Sequence, residues 1–487
     1  MKSFLFFSYI IFFPILNNSV TAQNVGIGIT TPAEKLHVAG NIKADTIKPS
    51  VLKVATNAGA GKILTSDATG NASWQTSTNT GSSAAGNIGY GVWGDCATNG
   101  NISEYNPVID NNGVAGDNFG NSVSVSGNFA VVGDYGDDVG GNVDQGSASV
   151  YQYTGSGWVL MQQLIDPAGA AGDYFGTSVS ISGNFIIVSA YADDANSSNL
   201  NEGSASIYKY NGSSWVFMQK LVDASGGLFA YFGYSVSISG NYAIVGAYND
   251  DVGSNADQGS ASIFQYNGSS WVLMQKITDA TGGASYNFGN SVSISGNFAI
   301  VGAYHEPVGN YYNLGSASIF QYNGANWVLK QKLFNTGTLP SSAYFGTAVS
   351  ISGNYAVVST YVDYGLSKGT ASVYQYANST WSLMQKIIDP NLVSQDYFGI
   401  SVTLSGDYLI IGAYHDDVGA NTDQGSADIY YRLGNAWGKL QAVSDPIGSA
   451  GDLFGISVAI DGTTKRFLIG VNGYANSSGK IVFGKVN

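Results

Sequence analysis

The chain has 487 residues, with 65 glycines, nine prolines and 13% aromatics, a composition that suits many short strands and tight turns rather than long helices or a disordered tract. Charged residues make up only 11%, and acids outnumber bases 33 to 19, which argues against nucleic acid or an anionic membrane as partner. The single cysteine, Cys96, rules out an intrachain disulfide, so stability must come from packing.

In chain order, Lys2 precedes the apolar run 4–16 and the small-residue stretch Val20-Thr21-Ala22. This reads as a secretory signal over residues 1–22, cleaved after Ala22, and the run is too short to cross a bilayer. The expected location is therefore secreted or cell-surface, without membrane insertion. Residues 23–76, including "NVGIGITTPAEKLHVAGN" and "GKILTSDATGNASWQ", carry short alternating strand signals with too little apolar mass to fold alone. The Ser/Thr/Asn/Gly-rich residues 77–101 read as a linker.

A repeat follows. Phe-Gly recurs at Phe119, Phe175, Phe232, Phe288, Phe345, Phe398 and Phe454, with spacings of 56, 57, 56, 57, 53 and 56 residues. Each unit holds four strand patterns, as in "FGYSVSIS", "NYAIVGAY", "GSASIFQY" and "WVLMQKI". Four antiparallel strands per unit predict an all-β, seven-bladed β-propeller over residues 102–487. The first strand should lie innermost, with serine facing one neighbouring blade and Val or Ile the other. Lys220, Lys276, Lys332 and Lys386 recur in the fourth strand, as expected of an exposed edge defended against pairing. The last unit stops before a fourth strand, whereas residues 102–109 resemble a fourth strand with no unit before them. The N-terminal piece should therefore complete the last blade and close the ring.

The sevenfold Phe-Gly, with Val three residues beyond each glycine and Val-Gly-Ala-Tyr in several second strands, resembles the FG-GAP family, the blades of the integrin α-subunit propeller and its bacterial relatives. That resemblance implies a seven-bladed propeller used for adhesion or ligand binding. The family's calcium loops lie between the first and second strands of a blade, where this chain has only Ser-Gly-Asn or a close variant, so those sites do not carry over. "VGIGITTPAEKLHVAGN" is similar to segments that precede bacterial surface and tail-fibre domains, which implies a homotrimer through residues 23–76.

Antiparallel order puts the short turns on one face of the ring. Loops between second and third strands, and the connectors between blades, share the other face, together with most of the acids. An acidic loop face is thus expected to meet an extracellular protein or glycan. Within it, Asp138, Asn142 and Asp144 recur as Asp251, Asn255 and Asp257 and as Asp417, Asn421 and Asp423. Such alternating oxygen ligands suit weak extracellular Ca²⁺ sites, while the same residue types also suit tight turns for backbone reasons, and both readings stand. His37, His305 and His415 are too scattered for a zinc site. Tyr135, Tyr191, Tyr248, Tyr304, Tyr361, Tyr414 and Tyr474 end successive second strands near the acidic face, as packing residues or as platforms for sugars. No catalytic motif appears, and "GAGKI" at 59–63 lacks the spacing of a phosphate loop. The expected reading is a binding propeller rather than an enzyme, with no catalytic residues and no other cofactor. The alternatives are a carbohydrate-active enzyme or lectin on the same face and a structural fibre component. Catalysis would need a carboxyl of raised pKa, which loops this polar should not provide.

Overall fold

The computed structural model describes residues 102–487 apart from 111, 196–199, 336–341, 361, 363–367, 390–392 and 394, and before them the backbone of four short strands. The chain divides into two compact units, Met1–Asn87 and Ile88–Asn487. In the first, Val25–Ile27 runs parallel to Leu36–Val38, and Lys62–Ser66 pairs antiparallel with Ala72–Thr76. The expected signal segment 1–22, the linker 77–101, Cys96 and Tyr361 lie outside the described residues.

The second unit is a ring of seven four-stranded antiparallel sheets. Blade 3 shows the plan, with Phe232–Ser239 innermost, then Tyr242–Ala247 and Ser260–Tyr266, and Trp271–Ile277 outermost. The second strands are buried from their second residue onward, and Phe298–Ala303 with the sequence FAIVGA throughout, because a neighbouring blade covers each face. Each apolar cluster accordingly spans two blades. Phe185, Ile187 and Ile207 of blade 2 pack with Phe232, Val236, Val245 and Trp271 of blade 3. The seven repeat phenylalanines are 0–1% exposed, and they anchor these junctions. The glycine after each Phe is required by contact. Gly289 sits at φ +97°, and a Cβ there would lie 2.2 Å from the Ser260 carbonyl oxygen of the preceding blade.

Ring closure follows the expectation. Ile102–Ile109 pairs antiparallel with Lys480–Val486 as the fourth strand of blade 7, in a register that runs from Lys480 opposite Ile109 to Val486 opposite Ile102. The innermost serines do more than fill space. Ser178, Ser180 and Ser182 accept hydrogen bonds from the backbone N–H groups of Val236, Ile238 and Gly240 in the next blade, at 3.0–3.1 Å. The same ladder recurs between blades 1 and 2 and between blades 4 and 5. First strands, which lack a backbone partner on their inner side, thus satisfy part of their donors with hydroxyls.

The outer rim has its own tie. Gln219 donates Nε2 to the Trp271 carbonyl at 2.8 Å and accepts from the Trp271 N–H at 2.9 Å, so one side-chain amide bridges neighbouring fourth strands. Gln162, Gln275, Gln331 and Gln385 do the same to Trp215, Trp327, Trp381 and Trp437. Each fourth strand from blade 1 to blade 6 is also bulged. In blade 3, Gln275 faces Ile263 while Leu273 faces Phe264, leaving Met274 as the extra residue. Such bulges twist an open edge away from pairing.

Candidate functional site

The loops between second and third strands and the inter-blade connectors lie together. Val143, Asp144 and Gln145 of the first such loop accept backbone hydrogen bonds from Gly172, Tyr174 and Phe175 of the connector into blade 2. This long-loop face surrounds the mouth of a central channel of about 360 Å³. Every blade contributes to its wall at the start of the first strand, with Asn121, Thr177, Tyr234, Asn290, Thr347, Ile400 and Ile456 at equivalent positions.

Around that mouth runs a ledge of tyrosines. Tyr135 meets Tyr174 edge-on at 5.9 Å, Tyr174 stacks on Tyr191 at 5.6 Å, Tyr191 meets Tyr231 at 5.4 Å, and Tyr231 stacks on Tyr248 at 5.6 Å. Tyr234 joins the ledge to the channel through Tyr248 at 4.3 Å. Further round, His305 lies against Tyr304 and Tyr344, and His415 against Tyr397 and Tyr414. Tyr135, Tyr191, Tyr248, Tyr304, Tyr414 and Tyr474, expected from the repeat, are all partly exposed. A second set, Tyr174, Tyr231, Tyr344 and Tyr397, stands just before the repeat phenylalanines and was not expected. All four are left-handed, with φ between 53° and 57°, a region costly for a bulky side chain. At the same position Asn118 and Asn287 adopt φ 64° and 57°, which asparagine tolerates well. In blade 7 Leu453 stands there at φ 60°, so the position carries Tyr four times, Asn twice and Leu once, and the recurrence of Tyr was the available signal.

Asp138, Asp194, Asp251 and Asp417 are exposed as expected, but many other carboxylates contradict the expectation of a wet acidic face. Asp166, Asp223, Asp279, Asp389 and Asp445, which follow the fourth strands, are 2–7% exposed. The lysines expected to guard an open edge turn inward to them. Lys276 Nζ lies 2.6 Å from Asp223 and 2.7 Å from Asp250, and Lys332 lies 2.5 Å from both Asp279 and Glu306. Lys220 pairs with Asp166 at 2.8 Å and with Asp193, and Lys386 donates to Asn335 at 3.2 Å. In each triad one acid belongs to the preceding blade and the other to the lysine's own. The aliphatic stem alone would be tolerated at an edge, but two buried acids draw the ammonium in.

In blades 6 and 7, where the aligned lysine is missing, another supplies the charge. Ala442 occupies that position in blade 6, and Lys439 bridges Asp389 and Asp428 instead, at 2.7 and 2.8 Å. Blade 7 has Pro107 there, and Lys480 of the third strand reaches Asp445, with Asp452 at 3.8 Å. Burial would pull the Lys276 ammonium down, yet its hydrogen bonds to Asp223 and Asp250 hold it above its ordinary pKa. Burial likewise opposes ionisation of Asp223, but Lys276 and Ser225 hold it below the usual value.

Raised carboxyls are present as well. Burial pushes Asp173 and Asp396 up to about 6, although each accepts a backbone N–H, from Ala170 and Val393. Burial, against the pull of Lys439, leaves Asp428 at about 7. These acids close connector turns or sit within a triad.

The nine candidate calcium residues fall into three identical loops. Asp138, Asp251 and Asp417 each accept the backbone N–H of Asp144, Asp257 and Asp423 at 2.9 Å. The three donors, Asp144, Asp257 and Asp423, adopt φ of 52–53°, which Asp tolerates in tight turns. Asn142, Asn255 and Asn421 donate to Gln145, Gln258 and Gln424 at 2.7–2.8 Å, and these glutamines donate on to the Asp166, Asp279 and Asp445 carbonyls. The set therefore braces each loop against the next connector. Among the described residues, no group of three His, Cys, Asp or Glu side chains is placed to hold a metal ion. His305 Nδ1 lies 2.6 Å from Asn287 Oδ1, and His415 Nδ1 lies 3.2 Å from Asp423, apart from one another; the His37 side chain lies outside the described residues.

No curated protein matches the chain. The FG-GAP repeat model matches residues 103–151, 158–208, 215–264, 271–320, 327–374 and 381–430. Each match opens in a fourth strand and ends in the third strand of the following blade, and the first begins inside the closing strand. The seventh unit, which runs from Trp437 through Phe483 and folds as the same four strands, lies outside these segments. With more than half its length matched and every repeat Phe-Gly seated at a blade junction, the chain belongs to the FG-GAP repeat family.

Proposed function

We propose that this protein is an exported or cell-surface binding propeller whose long-loop face takes an extracellular glycan across the tyrosine ledge at the channel mouth. Export is supported by the N-terminal Lys2 and apolar run 4–16. A binding or adhesion role is consistent with membership of the FG-GAP family. The observation that carries the choice of face is the row Tyr174, Tyr231, Tyr344 and Tyr397, aromatic rings kept in a left-handed conformation that Asn118 and Asn287 adopt at lower cost. Packing alone does not require a ring there, since the asparagine junctions close equally well. Half-exposed phenol rings beside Asn, Thr and Asp offer both the apolar platform and the hydrogen bonds that a pyranose needs.

The test is a glycan array probed with the purified full chain, followed by calorimetry on the hits with Tyr191→Ala and Tyr231→Ala. Loss of about tenfold or more in affinity with an unchanged melting temperature is expected, corresponding to about 1.4 kcal/mol. Hits bound equally by both variants would remove the ledge from the site. Product release from a bound glycan would make the protein a carbohydrate-active enzyme instead.

A further inference from the structure

The junction between blades 7 and 1 departs from its sisters at two aligned positions. Gln163 stands where blades 2 to 4 carry Lys220, Lys276 and Lys332. Asp134 ends a second strand whose counterparts end in Ala190, Ala247, Ala303, Thr360, Ala413 and Val471. One positive charge is gone and one carboxyl has been added. Asp110, directly after the closing strand, and Asp137 correspond to the acids that flank the ammonium elsewhere. Gln163 Nε2 reaches Asp137 at 2.9 Å and Ser147 at 3.0 Å, so it serves only one of the three acids. Asp134 is 1% exposed, and its Oδ1 meets no donor. Its carboxyl instead lies beside that of Asp110, whose Oδ1 accepts the Asn112 N–H at 3.0 Å. Two carboxyl groups in such contact cannot both be ionised without something positive between them.

We propose that Asp134 is a neutral carboxylic acid at neutral pH and donates its proton in a hydrogen bond to Asp110, so that a shared proton stands where the other junctions hold a lysine ammonium and makes the seating of the closing strand Ile102–Ile109 depend on pH. The groups facing the pair are Asp117, Asp137 and Tyr151, with Asp138 behind them, and none of these is a cation. Burial first, then the charges of Asp137, Asp117 and Asp110, hold the Asp134 carboxyl at about 9. The unfolded chain releases this proton near pH 3.8, so the stabilisation is fully present below that value and falls as pH rises toward about 9. The closing strand leads directly into the N-terminal segment, so acidification tightens the one blade that joins the two ends of the ring.

The test uses the full chain. Infrared difference spectra of wild type against Asp134→Asn should show a protonated carboxyl at neutral pH that the variant lacks. Thermal unfolding of wild type, Asp134→Ala and Gln163→Lys at about pH 5 and about pH 8 supplies the second readout. The alanine is the residue of sister blades, so this variant should fold. Wild type should lose about a thousandfold more in its folding equilibrium than Asp134→Ala over those three pH units, and Gln163→Lys should raise the melting temperature at the higher pH. Absence of the carboxyl band, with equal pH responses, overturns the proposal. So does a band abolished by millimolar CaCl₂ with a rise in melting temperature confined to wild type, because a metal would then occupy the site.

Discussion

The junction between blades 2 and 3 and the seam between blades 7 and 1 place acids at the same two aligned positions and balance them differently. At the first, Lys276 sits between Asp223 and Asp250. At the second, Asp110, Asp134 and Asp137 meet around Gln163. The ordinary junction keeps its stabilisation constant from about pH 4 to about pH 10, because Asp223 titrates below its usual value and Lys276 above its own. The seam loses stability across that same range. A ring built from equivalent blades thus has a seam whose response to pH reaches about 9, beyond the acids near 6 and 7 at Asp173, Asp396 and Asp428, at the point where the two ends of the chain are joined.

The largest expected effect sharpens this contrast. Lys276→Met leaves two buried carboxylates without a counter-charge and should cost about 3–5 kcal/mol in urea unfolding at neutral pH. Gln163→Met at the seam removes only amide hydrogen bonds and should cost about 1 kcal/mol. Equal costs would show that the triads do not hold the junctions. Next comes the rim. Gln275→Ala takes both partners from the Trp327 backbone and should cost about 1–3 kcal/mol. Asn106→Ala, at the aligned but exposed position of the closing strand, should stay within about 0.5 kcal/mol. The smallest effect belongs to calcium. Because Asp138, Asp251 and Asp417 are engaged by backbone N–H groups, chelation followed by millimolar Ca²⁺ should leave the melting temperature unchanged, and a rise would identify those loops as metal sites.

The blades were legible because their signal is local. Alternation in "YSVSIS", an apolar run in "YAIVGA" and the Phe-Gly period suffice for four strands and seven units. The orphan strand at 102–109 and the unit that stops short even specify closure. The ion triads were hidden because their members sit far apart in sequence and on two blades, and a recurring lysine at an outer strand has the same pattern whether it faces solvent or turns back. The informative trace was an exception: Ala442 and Pro107 lose the lysine while Lys439 and Lys480 appear, which no exposed edge would demand. The left-handed tyrosines were hidden in the sequence for a related reason. Backbone preference at that position favours Asn, so only the recurrence of an unfavoured residue marks it.

Closure itself is tested most directly by a cross-link between the two ends. Glu104 and Lys485 face each other across the closing pair, at a spacing that a disulfide can bridge between antiparallel neighbours. In a Cys96→Ser background, Glu104→Cys with Lys485→Cys should oxidise to completion, raise the melting temperature and keep both ends joined after proteolytic nicking between blades. Thiols that stay reduced in the folded protein, or a bond that forms only between separate molecules, would contradict a ring shut by Ile102–Ile109.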